Sequence, residues 1–138
     1  MPTKIKDRYP KKLLKSKESK PTVKFQGMKP ENNVLLASIP RTLVGTKVSF
    51  PHRHTASIST GLNIVEMPEG YCLRFTINPD LSARGLVATN APGDFTKGSV
   101  AITFVNCGRE IVEVNHGNII GTCWLDKKIS FEWETNEN

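Results

Sequence analysis

The feature that most constrains this chain is the stretch from Ile58 to Leu125, where short apolar–polar alternations are cut at close intervals by glycine- and proline-centred turns. Tyr71, Leu73, Phe75 and Ile77 share one side of a period of two, with Cys72, Arg74 and Thr76 on the other. That is the signature of a half-buried strand. Val100, Ile102 and Phe104 alternate with Ala101, Thr103 and Val105, so that strand is expected to be covered on both faces. Ile111–Val114 and Ile119–Trp124 flank a turn at Asn115–Asn118, where Gly117 supplies the positive φ the reversal needs. Upstream, Val23 and Phe25, Val34–Ala37, Leu43–Gly45, Val48–Phe50 and Ser57–Ile64 are further strand candidates, and Leu86–Ala88 is a short one. Ile129, Phe131 and Trp133 predict a last strand. No segment carries a helical period. Many short strands at close spacing predict an all-β barrel or sandwich-like domain.

The 138 residues suffice for one domain with a core, and nothing approaches the ~18 to 20 consecutive apolar residues of a membrane helix. No membrane partner and no secretory signal are expected. Three cysteines, Cys72, Cys107 and Cys123, are an odd number without paired spacing, which fits a reducing compartment. The net charge of +6 is unevenly spread. Residues 1–29 hold ten Lys/Arg against two acids, and residues 30–138 hold nine against eleven. A slightly acidic body therefore carries a basic arm, placed at residues 1–21, ahead of a domain at 22–138.

The turns of the central stretch carry a resemblance. Thr60-Gly61-Leu62, Pro68-Glu69-Gly70-Tyr71, Gly85-Leu86, Asn106-Cys107-Gly108 and Gly117-Asn118-Ile119-Ile120-Gly121-Thr122 resemble, in order and spacing, the trimeric dUTPase family. The resemblance covers roughly half the chain. It implies a β-clip fold of dUTPase type and a homotrimer. It also implies where a site would lie. The family's phosphate-gripping Arg-Ser-Gly-Leu falls on Asn78-Pro79-Asp80-Leu81, with Arg84 close by. Its uracil hairpin, Ile-Asp-x-Asp-Tyr-x-Gly, falls on Pro92–Gly98, with Gly93 at the water-orienting aspartate. Shifting by one aligns Asp94-Phe95 with Asp-Tyr. The family's early Ala-Gly-x-Asp-Leu motif and Gly-rich C-terminal arm have no counterpart. On these departures Asn78, Asp80, Arg84, Asp94 and Phe95 form a degenerate site, and the chain is expected to be no enzyme, with no catalytic residues and no cofactor.

Other constellations have simpler readings. His52 and His54, two residues apart, would need a further ligand to hold zinc, so no metal is expected. Cys107 lies in a turn with no base visible beside it. The arm carries Lys4, Lys6, Arg8, Lys11, Lys12 and Lys15 around Ile5, Tyr9, Leu13 and Leu14. It can bind nucleic acid through phosphates, lie on an acidic protein surface, or merely solubilise. One aromatic gives base stacking little to work with. Apolar pegs between charges favour a protein surface, with nucleic acid the lesser alternative. By analogy with β-clip head-decoration proteins of tailed phages, the expected role is a trimeric capsid-stabilising protein. Its arm would bind neighbouring subunits of a virion assembled in the host cytoplasm. The alternative is a divergent dUTPase-like nucleotide-binding protein or dUTP pyrophosphatase.

Overall fold

The computed structural model describes residues 20–42 and 45–136. The basic arm of residues 1–21, including Lys4, Ile5, Lys6, Arg8, Tyr9, Lys11, Lys12, Leu13, Leu14 and Lys15, lies outside the described residues apart from Lys20 and Pro21. So do Leu43 and Val44.

Nine strands, one short α-helix and a 3-10 turn at Glu31–Asn33 form among the described residues: β1 (Lys24–Gly27), β2 (Val34–Leu36), β3 (Lys47–Phe50), β4 (Thr55–Glu66), β5 (Tyr71–Ile77), α1 (Pro79–Ala83), β6 (Leu86–Ala88), β7 (Gly98–Asn106), β8 (Val112–Asn115) and β9 (Ile119–Lys127). The fold is all-β, as the alternation predicts. Three antiparallel sheets run β1-β4-β7-β6, β2-β9-β5 and β3-β8. Because β2 and β5 flank β9, strands far apart in sequence become neighbours, and the domain closes as one unit.

The inward faces meet in one core. Phe50, Ile58, Phe75, Leu86, Ile102, Phe104, Val114 and Ile120 are essentially inaccessible. Phe104 meets Phe50 edge to face, with ring centroids 6.1 Å apart. Each such side chain contributes about 1.5–3 kcal/mol by leaving water. β4 shows the period of two directly: Ile58, Thr60, Leu62 and Ile64 are buried in alternation. Buried Thr60 satisfies its hydroxyl by donating to the Val100 carbonyl at 2.7 Å. A smaller cluster of Leu62, Ile64 and Val100 packs beneath Val23, Met67, Leu73 and Phe95.

Four local expectations differ from the structure. The outward residues Ala101, Thr103 and Val105 of β7 are half-buried rather than covered. On β5, Cys72 is fully buried on the face that also carries Arg74. A five-residue helix forms at Pro79–Ala83, too short to leave a 3.6 period but announced by Asn78 as N-cap and Pro79 at its first position. The segment Ile129–Trp133 is not a strand; it leaves the body after Lys128, whose N–H bonds the Gly70 carbonyl. Its alternation is intact, but no strand among the described residues lies beside it. Among the described residues, no helix is long and apolar enough to cross a membrane.

Candidate functional site

Helix α1 and the β8–β9 turn enclose an open cleft of about 390 Å³, lined by Asn78, Asp80, Leu81, Arg84, Gly117 and Asn118. Its construction begins at Asn78. The Asn78 side-chain oxygen accepts from the Asp80 N–H at 3.2 Å, and its Nδ2 donates to the Ile119 carbonyl at 2.9 Å. Both ends of the amide are thereby occupied. Asn78 positions α1 against β9 and has little left to offer a ligand. Leu81 anchors the helix in the core. Asp80 and Arg84 are left exposed, four residues apart, as the carboxylate and guanidinium of the cleft.

Asp94 and Phe95 are elsewhere. Phe95 exchanges backbone hydrogen bonds with Leu73, at 2.8 and 3.1 Å, and its ring lies 5.9 Å from that of Phe75. The ring is thus engaged with the protein's interior side chains. Asp94 projects outward and accepts a 2.7 Å hydrogen bond from Lys128 Nζ. This bond, and secondarily the influence of the Cys72 thiol, holds the carboxyl below its ordinary value of 3.8. Arg74 and Asp126 complete the group, with Arg74 Nε 3.3 Å from an Asp126 oxygen. That approach has the distance of an ion pair without hydrogen-bond alignment, since Nε is buried and unpartnered. Within one chain the five residues of the expected site therefore divide: Asn78, Asp80 and Arg84 line the cleft, while Asp94 and Phe95 do not. Cys72, Arg74, Asp126 and Lys128 were not singled out from sequence. Only the β5–β9 register, with Cys72 opposite Asp126, brings them together.

The depressed Asp94 carboxyl predicts a pH effect. A carboxyl that binds its proton less well when folded adds stability above its unfolded value, lost as the pH falls through the lower, folded one. Wild type should therefore exceed Asp94→Asn in urea midpoint at pH 7. The gap should close as the pH drops below 3.8, and shrink in high salt because the pair is exposed. A gap unchanged down to pH 2 would contradict this account.

The histidines are engaged individually. His52 Nδ1 lies 2.6 Å from the Gly108 carbonyl, His54 sits edge-on to Phe50, and His116 Nδ1 accepts from the Ile39 N–H at 3.0 Å. Among the described residues, no three His, Cys, Asp or Glu side chains cluster as metal ligands. Cys107 is exposed, whereas burial pushes the Cys123 thiol up and makes it less reactive.

No family model matches the chain. Solved structures do match. The native EIAV dUTPase superposes with a TM-score of 0.62 over 84% of this chain and 97% of its own, at 16% identity. A triple mutant of the Staphylococcus bacteriophage 80alpha dUTPase, in complex with dUpNHpp, gives 0.64 over 85% and 89%, at 15% identity. The dUTPase from phage phi11 of S. aureus gives 0.57 over 85% and 97%, at 18% identity. The chain has a dUTPase-like β-clip fold. The expectation that it is no enzyme is corrected by these matches, because the structures that share its fold are dUTPases. The expectation rested on individual motif positions. Catalysis depends instead on which groups converge in space, and a comparison along the sequence does not see that.

Proposed function

We propose that this chain is a homotrimeric, dUTPase-like protein that binds a deoxyuridine triphosphate and hydrolyses it. The observation that carries the reading is the open α1 cleft, with the Arg84 guanidinium exposed just before the Gly85-Leu86 pair, in a fold shared with dUTPases solved with dUpNHpp. A guanidinium can grip phosphate oxygens through two parallel hydrogen bonds. Asp80 opposes this with its like charge and makes Arg84 the more necessary. Asp94, kept ionised by Lys128, is a carboxylate suited to orient a water molecule. Since it does not line the Arg84 cleft of its own chain, the reading requires the Asp94 hairpin of one protomer to meet the α1 cleft of another.

The test is calorimetric titration with dUTP and dTTP in magnesium buffer, alongside pyrophosphate release. Arg84→Ala should weaken dUTP about 10- to 100-fold, the equivalent of one charged hydrogen-bonded contact. Failure of the wild-type trimer to bind dUTP at millimolar concentration overturns the reading.

A second reading concerns the arm and is compatible with the first. The separation of ten basic residues in 1–29 from a net-acidic remainder supports an arm at residues 1–21 that attaches the 22–138 domain to a protein surface, as in a capsid or other large assembly. Replacing Leu13 and Leu14 by Ser should then release the protein from its partner even at low salt. Replacing Lys11, Lys12 and Lys15 by Gln should weaken attachment only modestly if the apolar pegs dominate. The reverse result favours nucleic acid.

A further inference from the structure

Among the described residues, Arg53, Arg84 and Arg109 are exposed and enter no ion pair. They come from three separate turns: Pro51–His54 after β3, Arg84-Gly85 after α1 and Asn106–Glu110 after β7. The backbone laces these turns into one surface. The Arg53 N–H donates to the Asn106 carbonyl at 2.7 Å, and the Asn106 N–H donates to the His54 carbonyl at 3.0 Å. The Cys107 N–H donates to the Gly85 carbonyl at 2.8 Å, and His52 Nδ1 donates to the Gly108 carbonyl at 2.6 Å. Gly85 and Gly108 pack so closely that a Cβ on Gly85 would lie 2.8 Å from the Gly108 nitrogen. Three guanidiniums are thus collected at one end of the body, with His52 and His54 between them.

The charge there runs against that of the rest. Residues 30–138 hold nine Lys/Arg against eleven acids, yet these turns hold three arginines against one acid, Glu110. Arg53 also stands at a φ of 66°, where a turn ordinarily carries Gly or Asn. The turn therefore keeps its guanidinium against the preference of its own backbone.

The surface offers charge without a hollow. Arg53 and Arg109 do not line the α1 cleft, and the rings of Phe50 and Phe104 are fully buried. Ile111, 66% exposed beside Glu110, is a single apolar side chain, too little for the apolar centre of a protein–protein contact. The three turns expose no Phe, Tyr or Trp on which single-stranded bases could stack. What remains is a set of fork-shaped cations on a rigid frame, which suits a row of phosphates. We propose that this end of the body docks on the phosphodiester backbone of duplex nucleic acid, without reading its sequence. The contact lies on the body and needs no nucleotide hydrolysis, so it stands or falls apart from both readings above.

Cys107 is exposed within the patch while Cys72 and Cys123 are buried, so the chain carries its own reporter. The full chain is treated with N-ethylmaleimide, an uncharged thiol reagent, with and without a mixed-sequence DNA duplex of about 25 base pairs at about 50 mM salt. Duplex at about ten times its Kd should slow Cys107 alkylation about 10-fold, because only the free fraction reacts. In parallel, Arg53→Asn combined with Arg109→Gln should flatten the slope of log K against log salt by about 2, roughly one per lost phosphate contact. Asn keeps the Arg53 turn unstrained, and Arg84, shared with the cleft, is left alone. Lys97→Gln combined with Lys127→Gln removes the same charge elsewhere and should leave the slope unchanged. Absence of duplex binding overturns the proposal, as does alkylation of the bound protein at the free rate, which assigns binding to the arm. Equal slopes for the two double variants also overturn it. So does equal protection by poly-glutamate, which makes the patch a site for acidic protein. A Cys107 that fails to react in the free protein overturns it too, by placing this end inside the oligomer.

Discussion

Asn106→Ala should cost about 3–5 kcal/mol and lower the melting temperature by roughly 12–20 °C. Asn106 is wholly buried at the end of β7. Its Nδ2 donates to the Phe50 carbonyl at 2.7 Å and to the Glu110 carbonyl at 2.8 Å, and its Oδ1 accepts from the Gly108 N–H at 2.9 Å. One amide thus closes the β7–β8 turn and ties it to the end of β3. Alanine would leave the buried Phe50 carbonyl, and the part-buried Glu110 carbonyl and Gly108 N–H, without these partners. Each orphaned group costs about 1–3 kcal/mol, and neighbouring losses do not add fully. A typical domain has only about 5–15 kcal/mol in total. Asn106→Asp sharpens the test. It keeps the acceptor for Gly108 but sets a carboxylate against two carbonyl oxygens, so it should destabilise at least as much as alanine. Thermal unfolding of the two variants decides. If the aspartate form melts like wild type, the donor half of the network carries no weight.

Gly27→Ala should cost about 3–4 kcal/mol, for two reasons of different origin. Its φ of +82° is a conformation that side chains bearing a Cβ rarely adopt. Its position is also crowded, because a Cβ there would collide with the Gly61 carbonyl on β4. That carbonyl is backbone, held in place by a 2.8 Å hydrogen bond from the Met28 N–H, and cannot move aside as a side-chain tip would. Separation of β1 from β4 would relieve the clash, so the damage should concentrate there. Hydrogen exchange should show faster exchange of the β1–β4 amides while those of β7 stay protected. Uniform loss of protection would mean that β1 folds inseparably from the rest. Gly45→Ala serves as control: φ is again positive, at +115°, but among the described residues beyond its chain neighbours no atom lies within 4 Å of the added Cβ. It should cost only the conformational part, about 1–2 kcal/mol.

The same glycine shows the boundary between what could be read along the chain and what could not. Alternation and punctuation are local properties. They placed β4, β5, β7 and β9, the Gly117 turn and the Asn106–Gly108 turn, because a period of two and a positive φ depend only on neighbouring residues. The family resemblance, not the alternation, singled out Asn78, Asp80 and Arg84, which line the α1 cleft; the helix itself was not legible, since five residues span barely more than one turn. That Gly27 breaks a strand was legible; that the Gly61 carbonyl occupies the space of its missing side chain was not. Nor was the ion pair of Asp94 with Lys128, separated by 34 residues, which exists because β9 runs between β2 and β5 and delivers Lys128 beside the hairpin. Ile129–Trp133 shows the limit from the other side. Its alternation states that two faces differ, but a strand also needs a hydrogen-bonding partner. Partners are assigned by closure of the whole chain, and among the described residues the last segment has none.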